Sequence, residues 1–148
     1  MWSQLFAGGI VSFVNFGIHG LITGVLILAT RDTAKRTDHL HVFMRVSALM
    51  TVTVIGLMCA HVLEIGVWAA YYDFAGVSFK SAKPFEFAFE NYTALRYGDP
   101  VPPEGQRLLG PITALNGLLL IGWSVAIIFE VMRMAEVQVG RAEEKDAR

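Results

Sequence analysis

The chain has 148 residues, a size that fits one domain of about 100–200 residues. Hydrophobic residues make up 54% and charged residues only 17%, against about 45–50% and about 25% in soluble domains. This composition excludes disorder for most of the chain, the single cysteine Cys59 excludes a disulfide scaffold, and a net charge of −1 leaves no basic field for nucleic acid. What remains is a small membrane protein.

The first apolar stretch, Ile10–Ala29, is interrupted only by Ser12, Asn15, His19 and Thr23. About 20 apolar residues suffice to cross the hydrocarbon core as a helix. Met1–Ala7 carries no positive charge and the apolar run is long, so a retained span is expected rather than a signal peptide. Arg31–His41 then reads as a solvated loop, with His39 and His41 facing water. Asp38 is a candidate cap for the next helix. Val46–Tyr72 is the second span. It carries His61 and Glu64 and ends in Trp68, Tyr71 and Tyr72, whose rings suit the headgroup level. Cys59 is expected to be buried there and inert.

Asp73–Arg107 breaks this pattern. It holds KPFEFAFENYTA, an amphipathic stretch opened by Pro84, a favoured first-turn residue. The Gly- and Pro-rich LRYGDPVPPEG follows and opposes helix. A short helix and an irregular segment between two spans predict a re-entrant loop, which survives at membrane depth only where protein or a water-filled cavity surrounds it. Phe79, Phe85, Phe87 and Phe89 are expected to form an aromatic cuff around that helix. Leu108–Phe129 is the third span, with Pro111 at its start, and the tail from Val137 is expected to fray. The chain thus divides into 1–42 (span and loop), 43–135 (span, short helix, loop, span) and 136–148 (polar tail). The fold class expected is an all-α membrane protein with three spans.

Orientation follows from the basic residues. Arg31, Lys35, Arg36 and Arg45 share one side with Arg133, Arg141, Lys145 and Arg148, whereas Lys80, Lys83, Arg96 and Arg107 lie on the other. The positive-inside tendency places the C-terminus in the cytoplasm and the N-terminus and re-entrant loop outside.

The residues Thr93-Ala94-Leu95-Arg96-Tyr97-Gly98-Asp99 follow the short helix. This stretch resembles the pore loop of the potassium-channel superfamily, whose filter reads roughly Thr-Val-Gly-Tyr-Gly-Asp. The resemblance extends from about Val46 to Met132 and is to bacterial two-span channels, with Ile10–Ala29 as an additional span. It implies a homo-oligomer of four subunits in a bacterial inner membrane, with lipid and small inorganic ions as its other partners. It also implies that Glu90 supports Asp99 from behind and that Gly117 permits bending of the inner helix. In such a filter, backbone carbonyls replace the water around a dehydrated ion.

Two positions depart from that pattern. Ala94 replaces a threonine and Arg96 replaces the first filter glycine. Arginine resists positive φ and keeps its charge. Two unit charges about 8 Å apart repel by about 2 kcal/mol at an effective dielectric of about 20. Three outcomes stay open: a cation pore with weak or altered selectivity, a non-conducting or regulatory relative, and an anion-permeable pore with Arg96 at the constriction. Arg96 can pair with Glu90 or Asp99 in the first two.

His61 and Glu64 are three residues apart and share a helix face. An ionisable residue inside a span is by default a functional hypothesis. The pair reads as a structural contact to the re-entrant helix, as a pH-sensitive pair, or as metal ligands with His19, His39 or His41. Glycines 110, 117 and 122 let neighbouring helices approach. Asn116 is expected to hydrogen-bond across helices, and Glu130 to ring an inner mouth or simply to face water. No phosphate-cradling loop, nucleophile elbow or zinc-type cysteine spacing occurs. The sequence therefore suggests neither an enzyme nor a cofactor, and it assigns no metal.

Overall fold

The computed structural model describes residues 2–77, 83–95, 102 and 104–146, with side chains described as far as residue 137. The described residues are helical and contain no strand. The elements are α1 (Trp2–Arg36), α2 (Val42–Phe74), α3 (Pro84–Tyr92) and α4 (Leu109–Asp146). Helices α1, α2 and Leu109–Val137 of α4 are long and apolar enough to cross a membrane, which points to a multi-pass membrane protein. Only 22%, 22% and 28% of their most apolar windows are buried. Most of their apolar surface therefore faces outward, as lipid or further helices require.

The helices run past the expected spans. Helix α1 continues through residues 31–36, which were expected to be loop. Arg36 Nε meets Asp32 Oδ2 at 2.7 Å one turn back, and Lys35 and Arg36 complement the negative end of the helix dipole. The cap expected at Asp38 lies elsewhere. Helix α2 starts at Val42, and Asp38 meets a side chain of its first turn rather than a free backbone N–H. His41 Nδ1 accepts the Phe43 N–H at 3.3 Å instead, and Asp38 binds Arg45 Nη1 at 2.8 Å. Helix α4 runs on to Asp146 rather than fraying from Val137, because its end lacks proline and is rich in Glu, Ala, Lys and Arg.

Helix α2 ends in a left-handed glycine. Gly76 has φ +62°, and Val77 N–H donates to Tyr72 C=O at 3.0 Å. This pattern satisfies carbonyls that the helix leaves open. Helix α3 begins with Pro84 in its first turn, and Glu86 Oε2 accepts the Lys83 N–H at 3.1 Å. Its end repeats the left-handed turn without glycine. Ala94 has φ +57° and its N–H donates to Asn91 C=O at 2.9 Å.

Two compact units divide the chain. One comprises Met1–Gly20 with Ala60–Gly122, and the other Leu21–Cys59 with Trp123–Arg148. The first unit is built on Val11, Ile65, Trp68, Tyr72, Phe87, Tyr92, Leu109 and Leu120. The Phe87 ring meets Tyr72 edge-on, with centroids 5.2 Å apart, a favourable aromatic geometry. Phe85 and Phe89 are exposed and Phe79 lies outside the described residues, so the aromatic cuff reduces to Phe87. In the second unit Leu26, Leu49, Leu57, Val131 and Ala135 are buried. Gly56 admits Leu26 there, since a Cβ would fall 2.7 Å from its Cδ1. Cys59 is exposed, contrary to expectation. An all-round apolar helix has more surface than its few neighbours cover.

Candidate functional site

Buried polar side chains from all four helices meet in the first unit. Helix α1 supplies Asn15 and His19, four residues apart. Helix α2 supplies His61, Glu64 and Trp68, at spacings of three and four. Helix α4 supplies Thr113 and Asn116. Such spacings place side chains on one helix face. Helix α3 adds its last residue, Tyr92. Glu64, His19 and Asn15 are fully buried, and His61 is partly so.

Glu64 is the hub. Its Oε1 lies 2.8 Å from His19 Nδ1, and its Oε2 lies 3.2 Å from His61 Nδ1. The Tyr92 hydroxyl donates to the same Oε2 and lies 2.8 Å from His61 Nδ1. A buried carboxylate is costly unless paired and hydrogen-bonded, and three residues from three helices meet that demand here. The two imidazole rings lie side by side, with centroids 5.6 Å apart.

A second layer braces the hub. Asn15 Nδ2 donates to Asn116 Oδ1 at 3.0 Å and to the Glu64 carbonyl at 3.3 Å. Trp68 Nε1 donates to the same Asn116 oxygen at 2.9 Å. Apart from this layer, the Tyr72 and Thr113 hydroxyls bond each other and join α2 to α4. Asn116 thus hydrogen-bonds across helices, as its place in an apolar span suggested.

Short helix α3 docks on small residues of α4. A Cβ on Gly117 would collide with the Tyr92 carbonyl, and one on Gly110 would fall 2.7 Å from Asn91 Oδ1. A Cβ on Gly122 would meet nothing within 4 Å. Close approach is therefore the role of Gly110 and Gly117, and not of Gly122. The Thr93 hydroxyl donates back to Phe89 C=O at 2.9 Å. Glu90 is half-buried, and Ala94 and Leu95 are exposed. Arg96, Tyr97, Gly98 and Asp99 lie outside the described residues, and with them the pairing of Arg96 with Glu90 or Asp99. In the second unit the Glu130 carboxylate is engaged by Arg133, at 2.7 and 3.0 Å.

No family model, curated protein or solved structure matches the chain. The site must be read from its own chemistry.

The sequence paired His61 with Glu64, and the structure brings them together. In the sequence His19 is one of several candidate histidines, and nothing there marks Tyr92. The signal for His19 was its position as the only ionisable side chain of Ile10–Ala29. Tyr92 carried no local signal, because its partner lies 28 residues away. Among the described residues His19, His61 and Glu64 each offer one ligand atom, all within 4.8 Å of one another. His39 and His41 are exposed and are not among them.

Proposed function

We propose that the chain is a potassium-channel-like pore subunit with a remodelled filter, passing ions with weak or altered selectivity. The observation that carries this reading is helix α3. It has 9 residues, about 14 Å at 1.5 Å per residue, roughly half of a hydrocarbon core. It lies in sequence between two helices able to span the membrane. Tyr92 ties its end to α2, and Gly117 admits it to α4. Its exit is a left-handed residue, Ala94, immediately before Leu95-Arg96-Tyr97-Gly98-Asp99. A pore helix in a re-entrant loop requires this anchoring, since non-helical backbone at membrane depth must be held by protein.

One such loop cannot enclose a pore, so conduction requires a ring of subunits. Four is the number that the resemblance implies. Arg96 then repeats around the axis and weakens cation selectivity through its fixed charge. The orientation proposed has the loop outside and the C-terminus in the cytoplasm of a bacterial inner membrane.

Reconstitution tests this reading. Reversal potentials are measured in liposomes or bilayers under potassium, sodium and chloride gradients. The expected result is cation flux with little preference for potassium over sodium, and Arg96→Gly moving it toward potassium. Strong potassium selectivity in the unmodified protein would refute the role given to Arg96. Current carried by chloride would replace the cation pore with an anion pore. Absence of flux in both forms would overturn conduction altogether.

A further inference from the structure

We infer that His19, His61 and Glu64 form an intramembrane binding site for a divalent transition-metal cation of the zinc class, with the Tyr92 hydroxyl at its edge. The site is built by α1 and α2 and closed by the end of α3.

The donor set carries the inference. Two imidazole nitrogens and one carboxylate converge within 4.8 Å. Tetrahedral ligands at about 2.0–2.2 Å from a zinc ion lie a little over 3 Å apart. His19 Nδ1 lies 2.8 Å from Glu64 Oε1 and His61 Nδ1 lies 3.2 Å from Oε2, so shifts of about half an ångström would bring the ligand atoms to that separation. Imidazole with carboxylate suits zinc and its neighbours in the first transition row, and His2Glu is an established zinc donor set. Calcium and magnesium prefer sets made of oxygen alone.

The tautomers of His61 admit a cation. His61 Nδ1, Tyr92 Oη and Glu64 Oε2 form a triangle with all three edges at hydrogen-bonding distance. With its proton on Nδ1, His61 can share that N–H between the Tyr92 and Glu64 oxygens, whereas with its proton on Nε2 the Nδ1 lone pair faces the carboxylate. In that second tautomer a cation between His61 Nδ1, His19 Nδ1 and Glu64 turns the opposed lone pairs into ligands. Each neutral imidazole then carries its proton on Nε2 and offers Nδ1 as the ligand.

Surrounding groups suit a bound cation. Tyr92 and the backbone of Glu64 are themselves held, the latter by Asn15. Partners of this kind orient ligands and strengthen metal binding. The carboxylate offsets part of the cation's charge in a site where an unpaired ion is costly. Three protein ligands leave one position for the Tyr92 hydroxyl or for water. Bound metal would fasten α1 to α2 and hold the end of α3 against them.

The inference is independent of the pore reading, because metal content is measured on the chain whether or not it conducts. Full-length protein in detergent or nanodiscs is stripped with a chelator and titrated with zinc and with cobalt(II). One equivalent per chain is expected, together with the visible absorption of four-coordinate cobalt. His61→Gln and Glu64→Gln should each weaken binding at least tenfold. A His39→Gln/His41→Gln double variant should bind as the unmodified chain does. His61→Cys guards against loss of the fold as the cause. It should keep zinc binding and add a sulfur-to-cobalt charge-transfer band absent from the parent. No stoichiometric metal on the unmodified chain would overturn the site. So would binding that survives His61→Gln, binding that is lost only with His39 and His41, or a His61→Cys variant without the band.

Discussion

The Tyr92 hydroxyl donates to Glu64 Oε2 and so fastens the last residue of α3 to α2. The bond joins a short helix to a carboxylate that is fully buried in an apolar span. Removing the hydroxyl leaves that carboxylate one donor short. Hydrogen bonds to charged groups contribute about 1.5–3 kcal/mol. Tyr92→Phe keeps the ring in the core and should therefore cost about that much. Unfolding of the purified protein in mild detergent measures it. A loss below about 0.5 kcal/mol would show that the two imidazoles satisfy Glu64 without Tyr92.

The glycines of α4 make a sharper comparison. Gly117 faces the Tyr92 carbonyl with no room for a Cβ, whereas Gly122 has nothing within 4 Å. Alanine favours helix over glycine by about 1 kcal/mol. Gly122→Ala should therefore be neutral or stabilising. Gly117→Ala must push α3 away from α4, and overpacking of this kind costs about 1–3 kcal/mol. In thermal unfolding Gly117→Ala should fall below the parent, and Gly122→Ala should match or exceed it. If the pore reading holds, only Gly117→Ala should also alter flux. Equal stability of the two variants would contradict the packing described for α3.

Asn116 collects two donors on one oxygen, from Asn15 on α1 and Trp68 on α2. Polar contacts between helices inside a membrane average about 0.6 kcal/mol and reach about 1.7 kcal/mol. Asn116→Leu abolishes both acceptor contacts and should cost about 1–3 kcal/mol. Trp68→Phe removes one donor but keeps most of the packing. A double-mutant cycle between the two should give a coupling of about 0.5–1.5 kcal/mol. A coupling of zero would mean that Trp68 acts through packing alone.

The three apolar stretches are legible in the sequence because a span must be long and nearly free of charge. Their true ends are not, because a cap or a dipole decides them. His41 caps α2 through its ring nitrogen, a role that residue preferences assign to Asp38, and Arg36 extends α1 through Asp32. The same division holds at the site. His61 and Glu64 can be paired on paper because three residues along a helix bring side chains together. His19 is 45 residues from Glu64, and Tyr92 is 28. Contacts of that separation arise only when helices pack, and periodicity carries no trace of them. The exposure of Cys59 escaped for a related reason. Composition says that a helix is apolar all round, but not which side its neighbours cover.

Ala94 occupies left-handed space at φ +57° where the chain leaves α3. For a residue with a Cβ this conformation costs about 1–2 kcal/mol. Gly76 solves the same problem at the end of α2 without that cost. Ala94→Gly should therefore relieve the folded state. The gain is partly offset, because glycine leaves the unfolded chain more freedom. A net stabilisation of about 0.5–1 kcal/mol is expected, read as a rise in unfolding temperature in detergent. The exposed Ala94 side chain supplies little packing to lose. Ala94→Val tests the sign independently. A β-branched residue tolerates this region worst, so this variant should destabilise the turn by more than Ala94→Gly stabilises it. If valine is accepted without loss, the residue is not held in the left-handed region, and the turn that leads from α3 toward Arg96 must be drawn differently.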